Sequence, residues 1–397
     1  MQCSKPTTIK EFFMGREFIV PSRIITGENS LALAAKELCR MGDRALIVTD
    51  PVVIKLKCFE RLTQLLSENR VSYAIYSDVT GEPTDAIVNA GLCKYEVEDC
   101  DHLIAVGGGS PIDTMKAIAA LSVNGGKIAD YMGKVIKGRM PPMAAIPTTA
   151  GTGSEATKFT VITDSATSIK MLLKGDCLIP SLAIIDPAFS MSSPKSVTAS
   201  TGLDALTHAV ESYTSRLAQP LTDAVAISAV KRIFRHLPTA YSDGTNTEAR
   251  TQMSIAALEA GIAINNASVT IVHGMSRPIG ALFHVPHGLS NAMLLEKCIG
   301  FALDGAYGRF ADLGRAIGAA ESSDSDKSAA EKFLGKLGEI CRICEVPTLG
   351  GFGIDKEEFL AQTDKMAEDA LASGSPDNTA KPVTKDDIIG IYKSLWD

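Results

Sequence analysis

The sequence predicts an α/β chain: an N-terminal Rossmann-like parallel-sheet domain over residues 1–190, followed by an all-α C-terminal domain over 191–397. Three observations predict it. In the first half, short apolar runs alternate with longer stretches of helical periodicity, the pattern of buried parallel strands joined by crossover helices. Two of those runs end in turns rich in glycine and small residues. From about residue 193 onward strand candidates become rare and helical periodicity dominates.

Taken in order, EFIVPSRIIT (17–26) reads as extended and 30–41 as helical. ALIVTD (45–50) is an apolar run ending in a polar residue, as buried parallel strands do. KCFERLTQLLSEN (57–69) is helical, YAIYSDV (73–79) a strand and TDAIVNAGLCKYEVE (84–98) a helix. HLIAVGGGS (102–110) is a strand entering a glycine turn, with DTMKAIAALSV (113–123) following as a helix. MAAIPTTAGTGSEAT (143–157) is a strand plus a loop of small residues. The character changes near IIDPAFS (184–190). Helices are then predicted over 199–214, 220–236, 247–266, 289–303, 305–318, 328–344, 355–371 and 385–395. ESSDSDK (321–327) and SGSPDNTAK (373–381) read as exposed loops.

Composition bounds the function. A hydrophobic share of 45% against 21% charged is that of an ordered globular chain. The net charge of -7, with no Lys/Arg-rich run, argues against nucleic acid as a partner. No stretch reaches the roughly 18 apolar residues of a membrane span. The N-terminus lacks a basic start followed by an apolar core, so no signal peptide is expected and the location expected is cytoplasmic. Nine scattered cysteines fit reduced thiols. The one CxxC pair, Cys341 and Cys344, lies in a helical pattern without a neighbouring His and reads as ordinary helix cysteines.

Gly107, Gly108, Gly109 and Ser110 close a strand and open a helix. Glycine lets backbone approach a pyrophosphate, and a helix N-terminus offers free N–H groups to an anion. The pattern is GGGSPID rather than GxGxxG, so a tight structural turn is the competing reading. The second loop, from Pro147 to Glu155, carries hydroxyls and small residues that suit phosphate, ribose or carboxamide contacts. Asp50 ends a strand, where a carboxylate can accept ribose hydroxyls and repel a 2′-phosphate, favouring NAD over NADP. Capping a helix before Pro51 is its alternative role.

Four of the six histidines, His208, His273, His284 and His287, fall in the helical half. Asp204 and His208 are four apart in TGLDALTHAVESY, which sets both on one helix face. His273 lies in IVHGMSRPIG and His287 in VPHGLSN, both read as turns. One carboxylate and three imidazoles make a first shell for Fe²⁺ or Zn²⁺. His102, ahead of an apolar strand, and His236, read near a helix C-terminus, carry no catalytic expectation.

GGGSPIDTMKAIA (107–119), PTTAGTGSEAT (147–157), the DP at 186–187, TGLDALTHAVESY (201–213) and HGMSRPIGALFHVPHGLSNAMLL (273–295) together resemble the iron-containing (group III) alcohol dehydrogenases, relatives of glycerol dehydrogenase and dehydroquinate synthase. The resemblance runs nearly end to end. It implies a two-domain fold with the active site between the halves, and Asp204, His208, His273 and His287 as ligands of a divalent metal, Fe²⁺ or alternatively Zn²⁺. It implies that the GGGS turn holds the pyrophosphate of NAD, with Asp113 in the same motif. It further implies cofactor contacts from Thr148, Thr149 and the loop through Thr152 and Ser154, with Lys170 reaching toward them. The reaction implied is hydride transfer between NAD(H) and a small alcohol or aldehyde, the metal acting as Lewis acid on the substrate oxygen.

Two departures stand out. Many relatives read HGMAHP where this chain has Arg277, and PNPT where it has Gly81-Glu82-Pro83-Thr84. With the usual histidine absent, His284 becomes the candidate proton relay, with a packing or supporting place beside the site as the other reading. Arg277 either pairs with a nearby acid or grips an acidic substrate. A dehydroquinate synthase-like lyase without net oxidation is the alternative function, with a metal hydrolase and a degenerate binding protein behind it. A homo-oligomer is expected, with the 17–26 segment able to pair strands across a dimer.

Overall fold

The computed structural model describes residues 15–167 and 169–396. The sequence reading of the first fourteen residues therefore lies outside the described residues. Eight strands are formed: β1 (Arg23–Thr26), β2 (Arg44–Val48), β3 (Ser72–Tyr76), β4 (His102–Gly107), β5 (Met143–Pro147), β6 (Phe159–Thr163), β7 (Lys170–Lys174) and β8 (Leu182–Ile185). Six build one sheet in the order β1-β8-β5-β4-β2-β3, every pairing parallel. β6 and β7 form a separate antiparallel hairpin.

The central strands are apolar throughout because both faces of the sheet are covered. Successive side chains point to opposite faces. Leu46, Val48, Leu103 and Ala105 pack with Val88, Met115 and Ile118 of the helices Asp85–Val97 and Gly109–Asn124. Ala45, Ile47, Ile104 and Val106 pack on the other face with Phe59, Leu62 and Leu66 of Lys57–Glu68. The connection after β2 leads outward to β3, whereas β4 lies on the opposite side of β2. The strand order thus reverses between β2 and β4, and a crevice opens beyond their C-terminal ends, where ligands of such sheets bind. Asp50 and the 107–110 turn follow those two ends.

The sheet ends at Ile185, and the first long helix of the second half starts at Lys195. Lys195–Thr214, Pro220–Ser242, Thr247–Ala267, Ile271–Phe283 and His287–Ala302 enclose a common core with the C-terminal helices. Among the described residues no single helix is long and apolar enough to cross a membrane.

Several sequence expectations need correction. The helix Ile271–Phe283 was not anticipated, and His273 lies inside it rather than in a turn. Gly274, Pro278 and Gly280 mask its pattern, while buried Ile271, Val272, Met275 and Ile279 anchor it in the core. His236 lies within a helix that runs on to Ser242. The 373–381 segment is not an exposed loop: Ser375, Pro376 and Thr379 are buried, and Asn378 donates to the Val269 carbonyl. In the 17–26 segment only Arg23–Thr26 is strand, at a sheet edge that pairs with no further strand among the described residues. Upstream, Ile19 is tied to Asn265 and Asn266 of its own chain.

Candidate functional site

The helix Lys195–Thr214 joins the two parts of the site. Val197 lines the crevice, Thr201 packs against Gly151 of the second glycine loop, and Asp204 lies two turns beyond Val197, about 10 Å along the axis. Asp204, His208, His273 and His287 meet there, each with one ligand atom within 4.8 Å of the others. The Asp204 carboxylate oxygen Oδ1 stands 3.9 Å from His208 Nε2, 3.8 Å from His273 Nε2 and 3.7 Å from His287 Nε2. The His208 and His273 rings stack with centroids 4.6 Å apart. Asp204, His208 and His273 are buried, while His287, the first residue of its helix, has an exposed side chain.

The donor set fits a divalent cation. Burial drives the Asp204 carboxyl up, but the three imidazoles and the Asn291 amide pull it net below its ordinary value. Desolvation at the cluster holds His273 well below, and His287, whose ring is only partly exposed, below the ordinary imidazole value, favouring the neutral, metal-binding form. No Lys or Arg among the described residues lies within 4.0 Å of Asp204. A buried carboxylate ringed by imidazoles is the hard–borderline donor set of Fe²⁺ or Zn²⁺.

Two supporting residues escaped the sequence reading. Glu211 is fully buried. Its Oε1 accepts from Thr270 Oγ1 and from Val272 N, each at 2.7 Å, and its Oε2 faces His273 Nδ1 at 2.5 Å. That contact keeps the His273 proton on Nδ1 and turns the Nε2 lone pair toward the cluster. Asn291 donates from Nδ2 to Asp204 Oδ1 at 2.7 Å. The signals were present: Glu211 is one turn past His208, and Asn291 one turn past His287.

The crevice itself measures about 400 Å³. Asp50, Gly108, Gly109, Ser110, Thr148 and Thr149 line it from the sheet, and Ser192, Ser193, Pro194 and Val197 from the helical half. Gly108 precedes the helix Gly109–Asn124, whose N-terminus carries no side-chain cap, so its first N–H groups are available to an anion. Gly107 is required on packing grounds, since a Cβ there would fall 2.4 Å from Pro111. Asp50 fulfils both of its readings. Its Oδ1 accepts from Val52 N and Val53 N, capping the turn, and the carboxylate still borders the crevice.

Not every expected cofactor contact is free to make one. Ser154 Oγ donates to Asp113 Oδ1 at 2.6 Å, and Asp113 Oδ2 accepts from Val161 N. Both side chains fasten the second loop rather than face the crevice. Lys116, also missed, is fully buried and donates to Ser154 Oγ, Thr157 and the Phe159 carbonyl. Burial pulls Lys116 down to about 8 and pushes the neighbouring Glu155 up to about 7. Thr152 packs against Gly109, joining the two glycine turns. Lys170 Nζ is held by Glu82, one of the two residues where the 81–84 stretch departs from PNPT, at 2.6 Å.

The second loop rests directly on the helical half. A Cβ at Gly261 would fall 2.6 Å from Gly153 O, and one at Gly153 would fall 2.4 Å from Gly261 Cα, at a φ of +62°. Gly261→Ala is therefore expected to push the 147–153 loop outward, weakening NADH about tenfold and costing about 2 kcal/mol of stability. NADH fluorescence titration and thermal unfolding measure the two effects, and unchanged affinity would refute the coupling.

The two catalytic candidates differ. His284 caps its helix in the left-handed conformation, is exposed, and hydrogen-bonds to nothing among the described residues. It is not packed into the cluster. Among the described residues Arg277 finds no carboxylate within ion-pair distance, so the pairing with a nearby acid is not found there; its guanidinium donates to Ser375 Oγ at 3.0 Å. Cys341 and Cys344 are free thiols that burial pushes up to about 12, so neither is reactive at neutral pH. His102 donates to Asp101 at the start of β4 and is fully buried.

A dinucleotide crevice at the strand-order reversal, beside an Asp/His₃ cluster on the facing helices, defines a metal-dependent dehydrogenase. Two family models together span most of the chain: iron-containing alcohol dehydrogenase over residues 21–187, and the C-terminal domain of the Fe-containing alcohol dehydrogenase family over 198–396. Alcohol dehydrogenase 4 of Schizosaccharomyces pombe is 38% identical over 383 residues, 95% of this chain and 88% of that protein. NAD-dependent methanol dehydrogenase of Bacillus methanolicus is 34% identical, over 95% of this chain and 99% of that protein. A crystal structure of 1,3-propanediol oxidoreductase superposes with a TM-score of 0.93 at 33% identity, covering 96% of this chain and 100% of that one. The chain belongs to the iron-containing alcohol dehydrogenase family. It is an NAD- and metal-dependent oxidoreductase, and the lyase alternative is not favoured.

Proposed function

We propose that the chain interconverts a small alcohol and its aldehyde, using NAD(H) in preference to NADP(H), with Asp204, His208, His273 and His287 holding the metal. The observation that carries this reading is the convergence of those four side chains at the middle of the helix whose N-terminal end lines the glycine-turn crevice. When bound, the divalent metal supplies Lewis-acid polarisation of the substrate oxygen, and the nicotinamide supplies or takes up the hydride. The chain's own residues arrange this. The uncapped helix start at Gly109 and the hydroxyls of Thr148 and Thr149 bind and orient the dinucleotide. Glu211 and Asn291 fix the directions of His273 and Asp204. Exposed His284 stands one residue before Val285-Pro286-His287, open to exchange a proton with solvent.

Metal-depleted protein resupplied with Fe²⁺ or Zn²⁺ and screened for NADH oxidation with short aldehydes tests the reading. Turnover that requires both metal and NADH is expected; an absence of NADH oxidation with every aldehyde would sink it. The cofactor preference has its own test in Asp50→Asn. The amide oxygen can still cap Val52 and Val53, but the charge facing the 2′ position is gone. The NADPH-to-NADH ratio of kcat/KM is expected to rise about tenfold. An unchanged ratio would remove Asp50 from cofactor selection.

A further inference from the structure

Arg277 is one turn beyond His273 on the same helix, so the two share a face. The guanidinium is largely buried, and burial lowers its affinity for its proton. Its one hydrogen bond within the described chain goes to the neutral Ser375 hydroxyl, leaving most of its five donors without a protein partner. The nearest acidic influence is Glu211, whose oxygens are already engaged by Thr270, Val272 and His273. Asp204 is committed to the imidazole cluster.

Arg277 therefore lies on the cluster side of its helix, one turn from His273. Lys170 arrives at the same helix from the β6–β7 hairpin of the other half. Its ammonium approaches the Ile271–Phe283 helix at Gly280, 3.9 Å from the position a Cβ would take there. Two cations from the two halves thus meet on the Ile271–Phe283 helix near the cluster, and among the described residues only Lys170 has a carboxylate partner, Glu82. A mostly buried cation without an anion is costly. A ligand anion would offset that cost, and the planar fork of arginine matches a carboxylate or sulfonate edge.

We infer that the substrate is a short carbonyl compound carrying a carboxylate or sulfonate, whose anionic end binds Arg277, with Lys170 adding to the positive field. The inference rests on the dehydrogenase reading above. In the reducing direction the carbonyl carbon gains a hydride from NADH, its oxygen gains a proton from water, and NAD⁺ and the corresponding hydroxy acid leave.

The test uses the metal-loaded protein with NADH and two pairs of aldehydes of similar length: butyraldehyde against 4-oxobutanoate, and propionaldehyde against sulfoacetaldehyde. The wild type is expected to prefer the anionic member of at least one pair, and Arg277→Ala to lower that anionic-to-neutral kcat/KM ratio about 100-fold. The pair that responds tells carboxylate from sulfonate. A second measurement needs no variant: propanoate and ethanesulfonate are expected to inhibit wild-type turnover of butyraldehyde competitively. Turnover of neutral aldehydes with no anion preference, no anion inhibition and an unchanged ratio in Arg277→Ala overturns the inference while leaving the dehydrogenase reading intact. Failure to oxidise NADH with any of the four aldehydes overturns both.

Discussion

Asp204→Ala is expected to lower metal-dependent kcat/KM by about 1,000-fold or more, equivalent to about 4 kcal/mol of transition-state stabilisation. Asp204 is the one anion among the four converging side chains, and it lies within 4 Å of all three imidazole Nε2 atoms. Without it the cluster keeps three imidazole donors and loses the Coulomb attraction that draws a dication into a buried place. The loss should appear in metal content before it appears in rate. At a metal concentration 100-fold above Kd, binding stabilises a folded protein by about 2.7 kcal/mol. The wild type should show that gain in thermal unfolding, and Asp204→Ala should not. The metal-free comparison separates the metal's role from folding: the folded state holds the Asp204 carboxyl below its ordinary value, so removing it costs metal-free stability too, and the metal's contribution is read from the difference between metal-loaded and metal-free melting of each protein. The pH dependence follows from the imidazoles. His273 and His287 have folded-state pKa values below the unfolded value, so the unfolded chain takes up protons first, and metal-free stability falls as pH drops below about 6.5. Metal affinity declines in the same direction, because protons and metal compete for the same lone pairs. Full metal content and near-normal turnover in Asp204→Ala would refute the assignment.

The sequence made five of the six sheet strands, the glycine turns and the four converging side chains visible for physical reasons that are local; β8 was not anticipated. Buried parallel strands are apolar on both faces, so β2, β4 and β5 stand out as short runs. The spacing of Asp204 and His208 puts them on one face whatever the helix packs against. What escaped was decided by tertiary packing. The helix Ile271–Phe283 contains Gly274, Pro278 and Gly280, each poor for an isolated helix, yet a Cβ at Gly274 would fall 2.8 Å from Pro376. Close approach of another segment thus explains one glycine and the burial of 375–376 together. The β6–β7 hairpin was hidden because its strands are amphipathic and follow a loop rich in threonine and serine. Asp113 and Ser154 look like cofactor ligands by composition. Only the structure reveals that buried Lys116 gathers the loop around them, because a lysine in an apolar helix pattern gives no hint of which acceptors it will meet. Glu211 was overlooked for a similar reason: its partner His273 is more than sixty residues away in sequence, at 2.5 Å in space.

Glu211 is where the second large effect is expected, and its two variants should fail in different ways. Glu211→Ala leaves the Thr270 hydroxyl, the Val272 N–H and the His273 Nδ1–H without their acceptor in a fully buried place. At about 1–3 kcal/mol for each orphaned group, part of it recovered by relaxation or water entry, a net loss of about 4 kcal/mol of stability is expected. Metal affinity should fall about 10- to 100-fold as His273 loses its orientation. Glu211→Gln is the sharper experiment. Its amide oxygen can still accept from Thr270 and Val272, so the fold is expected to survive with a loss of about 1–2 kcal/mol. The amide nitrogen then faces His273 Nδ1 and donates to it, which moves the ring proton to Nε2. That proton occupies the lone pair aimed at Asp204, His208 and His287, as a wrong tautomer disables a catalytic histidine when its carboxylate partner becomes an amide. The glutamine variant should therefore be well folded but bind metal at least about 100-fold more weakly than wild type. Metal competition titration and thermal unfolding, run on both variants, separate the outcomes. A glutamine variant that holds metal as tightly as wild type would show that the His273 tautomer is set by something other than Glu211.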